Sequence, residues 1–242
     1  MAELIIPGRF CGPPQSSNGG YFCGLVAALS PQTLTVRLLK PPPLDTPLEA
    51  LEQPDGGIIV RKDDVLIAQA RVATLTLDPP PPPSYVETLE ASLRYAGFRE
   101  HPFPTCFVCG TARARGDGMR VFAGPVAGRD IVAAPWVPDE SLDAGDGKVR
   151  PEFMFAAMDC PGCFAANPSG RGTWLLGELT AHIDRLVHID EPCRVIGWHI
   201  SSQGRKHEAG TALFDEDGEL CGLAKAVWIE PARVTGGASA SG

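Results

Sequence analysis

Asp159 is the only acid in the body of an apolar run, residues 151–164, that reads as a helix: Phe153, Met154, Phe155, Ala156, Ala157 and Met158 precede it. A helix without a polar face must be buried on nearly all sides. At 100° per residue, Asp159 falls within about 20° of Glu152 and about 40° of Phe155, so its carboxylate projects beside an aromatic ring. A carboxylate in such surroundings must be hydrogen-bonded or have its pKa shifted. The chemistry open to it is general-base activation of water or direct attack on an acyl carbon. The competing reading is a cap, because Asp159-Cys160-Pro161 can end one helix and begin another.

A second candidate is Asn18-Gly19-Gly20-Tyr21, which opens another helix-like apolar run with no charged side chain, residues 21–30. Asn18, or Ser17, can cap that helix. Free N–H groups and the positive end of the helix dipole can also stabilise a developing oxyanion. Glycines let a ligand approach the backbone, so Gly20→Val is expected to hurt catalysis more than stability.

Eight cysteines include two pairs, Cys106-x-x-Cys109 and Cys160-x-x-Cys163. Paired CxxC motifs are a zinc signal, but fifty residues separate these pairs, against roughly 15–20 in a compact zinc ribbon. Buried thiols with no metal are the expectation. His182, His188, His199 and His207 are scattered along strand-like runs, and no Gly-x-Ser-x-Gly elbow marks a serine hydrolase.

These residues need elements to hold them. Period-two or β-rich runs cover residues 33–39, 44–53, 58–61 and 65–77, with turn residues Pro54-Asp55-Gly56-Gly57 and Lys62-Asp63-Asp64 between them. Five prolines, 79–83, form a semi-rigid spacer, and residues 84–98 hold a short helix. The order then repeats: strands at 119–122 and 130–137, the apolar helix, and strands within 172–188, 193–201, 211–215 and 219–230. The expected organisation is an N-terminal module, 1–98, a C-terminal module, 104–233, and a mobile Gly/Ser/Ala-rich tail, 234–242. Twice over, a lead strand, a buried helix and a set of antiparallel strands follow one another, which gives an α+β chain.

Charge and composition remove other classes. The net charge of -8, with no basic block, disfavours nucleic acid as a partner. No apolar stretch approaches the roughly 20 residues that cross a bilayer, and the first residues lack the basic-then-apolar pattern of an export signal. A cytoplasmic protein with reduced thiols is expected.

Several stretches resemble hotdog-fold acyl-CoA thioesterases of the double-hotdog, thioesterase II type. They are Asn18-Gly19-Gly20-Tyr21-Phe22-Cys23-Gly24-Leu25, Arg37-Leu38-Leu39-Lys40-Pro41-Pro42-Pro43, Cys106-Phe107-Val108-Cys109-Gly110 with Gly116-Asp117-Gly118-Met119-Arg120-Val121-Phe122, and Ala212-Leu213-Phe214-Asp215-Glu216-Asp217-Gly218. The resemblance implies a tandem hotdog, with each half an antiparallel sheet wrapped around a buried helix. It also implies an acyl tunnel, CoA-thioester substrates, no metal or other cofactor, and homo-oligomerisation. It departs from the family in that the first helix carries no carboxylate. By the position of a Ser/Thr and a Gln in such proteins, the resemblance assigns Ser202 and Gln203 to placing the attacking water beside Asp159. Substrate contacts are expected from Asn18, Gly19, Gly20, Tyr21 and Phe155, and Arg205, Lys206 or Lys40 can meet CoA phosphates. The expected function is hydrolysis of a small acyl thioester. The rivals are a non-catalytic acyl or small-ligand binder on the same fold, and a zinc-stabilised interaction module.

Overall fold

A computed structural model describes residues 1–232. The tail expected to be mobile, 234–242, lies outside the described residues. Among the described residues, no helix is long and apolar enough to cross a membrane.

The first helix, α1 (Gly19–Ala27), starts where Asn18 leaves the helical backbone and its side-chain oxygen accepts the Tyr21 N–H at 2.9 Å. Tyr21, Phe22, Cys23 and Val26 of α1 are buried. Placing a side chain such as Phe22 out of water contributes about 1.5–3 kcal/mol, which fits a helix with no charge to solvate. The strands of the first half are β1 (Ala2–Leu4), β2 (Leu34–Leu38), β3 (Leu48–Glu52), β4 (Ile58–Lys62) and β5 (Val65–Val72). Asp63, at φ +52°, makes the tight turn between β4 and β5. The proline run leads to α2 (Tyr85–Ser92), which opens with a capping box between Ser84 and Glu87.

The second half holds β6 (Gly124–Pro125), β7 (Val132–Trp136), α3 (Pro151–Ala157), α4 (Cys160–Ala166), β8 (Leu175–Ile183), β9 (Cys193–Gln203), β10 (Lys206–Phe214) and β11 (Leu220–Ile229). Among the described residues, all eleven strands form one sheet, ordered β1-β3-β4-β5-β2-β8-β11-β10-β9-β7-β6. From either outer end inward the order is the same: lead strand, then third, fourth, fifth and second of its half, with only the short β6 added. The halves join where β2 pairs antiparallel with β8, and there the Thr35 and Thr180 hydroxyls lie 2.6 Å apart. α1 packs on α3, β2 and β8, whereas α4 packs on β9 and β10.

Glycines let the two helices touch backbone to backbone. A Cβ on Gly24 would stand 2.6 Å from the Glu152 Cα, and one on Gly20 would stand 2.5 Å from the Asp159 Cβ and 2.7 Å from the Phe155 carbonyl oxygen.

Two expectations are corrected. The second apolar run is not one helix: it breaks between Ala157 and Cys160. Pro161 is the cause, since it has no N–H to give the Ala157 carbonyl and its ring crowds that carbonyl. The Thr211 hydroxyl donates to the Met158 carbonyl at 2.7 Å, and the Gly162 N–H goes to the Asp159 carbonyl. Met119, Val121 and Phe122 are buried, but residues 119–122 join no strand of the sheet. Arg120 has φ +58°, and the N–H groups of Met119 and Val121 pair instead with the carbonyls of Phe107 and Val108.

Candidate active site

The helix break puts Asp159 opposite the start of α1. Its side chain makes no capping bond to α4. It turns across to the first half, where Oδ2 accepts the Asn18 Nδ2 at 2.7 Å and the Gly20 N–H at 3.0 Å. Asn18 therefore serves both halves: its oxygen caps α1 and its amide nitrogen holds the acid. The other carboxylate oxygen, Oδ1, is buried and has no hydrogen-bond partner among the described residues. Asp159 is 2% exposed. Burial pushes its pKa up to about 7; the Gly20 N–H pulls the other way, the nearby Cys106 sulfur adds to the rise, and the Asn18 amide opposes it.

Glu152, the acid of α3, lies 3.5 Å from the Arg150 guanidinium. Among the described residues, that leaves Asp159 as the acid of this helix pair without a cation.

Beside Asp159 lies a cavity of about 650 Å³, within the range of sites for small organic ligands. Its apolar wall includes Phe103, Phe164, Trp174, Leu176 and Trp228. Asn18 and Gly19 stand on the same wall, and Lys40 is the one lysine or arginine among the lining residues. The Gly19 N–H makes no hydrogen bond among the described residues. It is the orphan donor of the helix start that borders the cavity.

Other expected site residues are placed elsewhere. The Gly20 N–H, expected to face an oxyanion, is spent on Asp159. Tyr21 stacks on Phe10, with ring centroids 4.4 Å apart, and packs against Phe153; it is outside the cavity wall. Burial, followed by the charge of Glu152, pushes its hydroxyl up to about 12. Phe155 is buried and also off the wall, with its backbone against Gly20. Ser202, Gln203 and Arg205 are exposed at the β9–β10 turn. The Ser202 hydroxyl bonds the rings of His199 and His207, each at 2.8 Å, and Arg205 donates to the Glu230 carbonyl. None of these three lines the cavity that borders the carboxylate: Gly204, at φ +58°, closes the hairpin, and its tip lies along β11 at Ile229 and Glu230, where the neighbouring His207 stacks on the lining residue Trp174.

A group that spacing did not assemble also borders the cavity. Cys106, Cys109 and Cys160 bring their sulfurs within 4.8 Å of one another, and the Cys106 and Cys160 sulfurs are 4.0 Å apart. Cys163 is not in the group.

No protein-family model and no curated protein matches the sequence. Solved structures do match the fold. A tesB protein of Mycobacterium avium subspecies paratuberculosis superposes with a TM-score of 0.61 at 17% identity, over 91% of this chain and 90% of that one. A protein of Thermobifida fusca, provisionally named thioesterase II, gives 0.60 at 15% identity, over 95% and 92%. A provisionally named thioesterase of Novosphingobium aromaticivorans gives 0.58 at 12% identity, over 95% of each chain. The chain shares their fold. The largely antiparallel sheet with few helices expected from the resemblance is thus the architecture found.

Proposed function

We propose that the chain is a tandem hotdog hydrolase of acyl-CoA or a related acyl thioester, with residues 1–98 and 104–233 as its two modules. One observation carries the reading: a carboxylate buried beside a mostly apolar cavity, with one oxygen held by two N–H donors from the opposite half and the other without a partner among the described residues.

The acyl chain lies along the aromatic wall, and Lys40 meets the phosphates of the thiol carrier. Asp159 Oδ1 takes a proton from water as the water oxygen attacks the thioester carbon. The carbonyl oxygen becomes an oxyanion against the Gly19 N–H at the positive end of α1. Collapse of the adduct breaks the carbon–sulfur bond. The proton held by Asp159 passes to the leaving thiolate, giving a free acid and a free thiol. Gln203 and Ser202 have no part in these steps.

The test is thiol release from a panel of acyl-CoAs by the purified chain and by Asp159→Asn. The variant is expected to lose at least about 100-fold in kcat, within the usual worth of a general base, with its thermal midpoint no lower. A variant as active as the parent removes Asp159 from the mechanism. A parent chain that binds acyl-CoA and releases no thiol replaces the hydrolase with the ligand-binding reading.

A further inference from the structure

We propose that Cys106, Cys109 and Cys160 are the ligands of a zinc-class ion whose fourth coordination position is supplied from the cavity. The proposal goes beyond the hydrolase reading and does not depend on it.

The first support is distance. Zinc bound to thiolate at about 2.3 Å in a tetrahedral site spaces its sulfurs about 3.8 Å apart. The Cys106 and Cys160 sulfurs are already 4.0 Å apart, and the third lies within 4.8 Å of both. They are too far apart for a disulfide, which needs about 2.05 Å, and all eight cysteines are free.

The second support is the backbone under Cys106 and Cys109. The Gly110 N–H closes the turn on the Cys106 carbonyl at 2.9 Å. A Cβ on Gly110 would lie 2.4 Å from that oxygen and 2.5 Å from the Pro104 carbonyl oxygen, so the turn needs glycine there. This is a tight knuckle that offers two sulfurs on one side. Bonds outside the cluster fix it: Phe107 N–H to Cys11 O at 2.7 Å, Met119 N–H to Phe107 O at 2.8 Å, and Val121 N–H to Val108 O at 2.9 Å. The third sulfur comes from the first residue of α4, held in place by the same helix break that positions Asp159.

The third support is His101. Its Nδ1 accepts the Phe103 N–H at 3.0 Å, which leaves the proton of the neutral ring on Nε2. Nε2 lies 3.3 Å from the Cys109 sulfur. The imidazole thereby donates to that sulfur as an outer partner of the cluster, and such partners orient metal-bound thiolates. A core that wanted only apolar filling has no use for a histidine there. Cys106, Cys109, Cys160 and His101 all border the cavity, so water or a ligand atom can complete the tetrahedron. Three protein ligands with one open position form the arrangement of a non-closed zinc site. Each thiol gives up its proton to the solvent as the ion binds.

The test is metal content of the full chain purified without chelator, followed by reconstitution of reduced, metal-free chain with cobalt(II). About one zinc per chain, with thiolate-to-cobalt charge-transfer bands and the strong d–d bands of a tetrahedral site, is the expected result. Cys160→Ser is expected to lose the metal, and Cys163→Ser and Cys23→Ser to keep it. A parent chain that contains no stoichiometric metal and takes up neither zinc nor cobalt overturns the proposal. Metal retained in full by Cys160→Ser overturns the ligand set. The parent-chain measurement needs no variant, so a substitution that fails to fold leaves the test intact. The readout is metal, so its failure is distinct from loss of thioester hydrolysis.

Discussion

Two apolar helices meet at the centre of the molecule, and they have different duties. α1 carries no ionisable carboxyl and is continuous from Gly19 to Ala27. Its partner is broken into α3 and α4, with an acid at the break. The unbroken helix supplies N–H donors and the Asn18 amide, and the broken one supplies the carboxylate that receives them. The comparison teaches that the missing acid of α1 is no defect in this chain. One half provides the charge, and the other provides the dipoles that keep it in a dry place.

The largest effect on this arrangement is expected from Gly20→Ala. A Cβ there meets the Asp159 Cβ and the Phe155 backbone, which cannot swing aside as the tip of a flexible side chain would. Overpacking of this kind costs about 1–3 kcal/mol or more, and denaturant unfolding should show a lower midpoint with an unchanged slope. The structure therefore moves the expected effect of substitution at Gly20 from catalysis to stability.

Next in size is Asn18, where two substitutions separate its two tasks. Asn18→Ala removes the cap and the bond to Asp159; it should lower stability by about 1 kcal/mol and kcat/KM by about tenfold. Asn18→Asp keeps an oxygen for the Tyr21 N–H but sets a second carboxylate where the donor to Asp159 stood. Helix stability should then recover while turnover stays low. Equal recovery of both would show that Asn18 acts only as a cap.

The smallest effects are expected at the β9–β10 turn. Ser202→Ala and Gln203→Ala should leave steady-state rates within about twofold and stability within about 0.5 kcal/mol, as for surface positions away from special features. A large loss of rate at Gln203 would mean that this turn reaches the site in solution, and the division of duties between the halves would need a third contributor.

Much of the frame was legible from local pattern. Charge-free helices, period-two strands and turn residues depend on neighbours a few positions apart, and they placed α1, β2, the β4–β5 hairpin, β9 and β11 close to where they lie, whereas β10 begins at Lys206, ahead of the expected 211. Asp159 was legible for the same reason, as a lone acid in an apolar run. Its partners were not. The Asn18–Asp159 bond spans 141 positions, and no periodicity reports a pairing made by the packing of two helices. The sulfur cluster escaped because Cys106 and Cys160 are 54 positions apart and a spacing rule expects two pairs, whereas the fold uses one pair and one member of the other. Tyr21 and Phe155 were misplaced because an all-apolar helix gives no sign of which face borders a cavity. Pro161 did announce the helix break, and only the strength of the surrounding apolar run argued against it.

The glycine-mediated contact of α1 with α3 has a consequence for selectivity. Two backbones pressed together have no slack, so the corner holding Asp159 and Gly19 cannot adjust to tails of different length or bulk. In the proposed hydrolase, discrimination among acyl groups falls to the side chains of Trp174 and Trp228, which line the same cavity. Variation there would retune what is accepted while the reacting corner stays as it is.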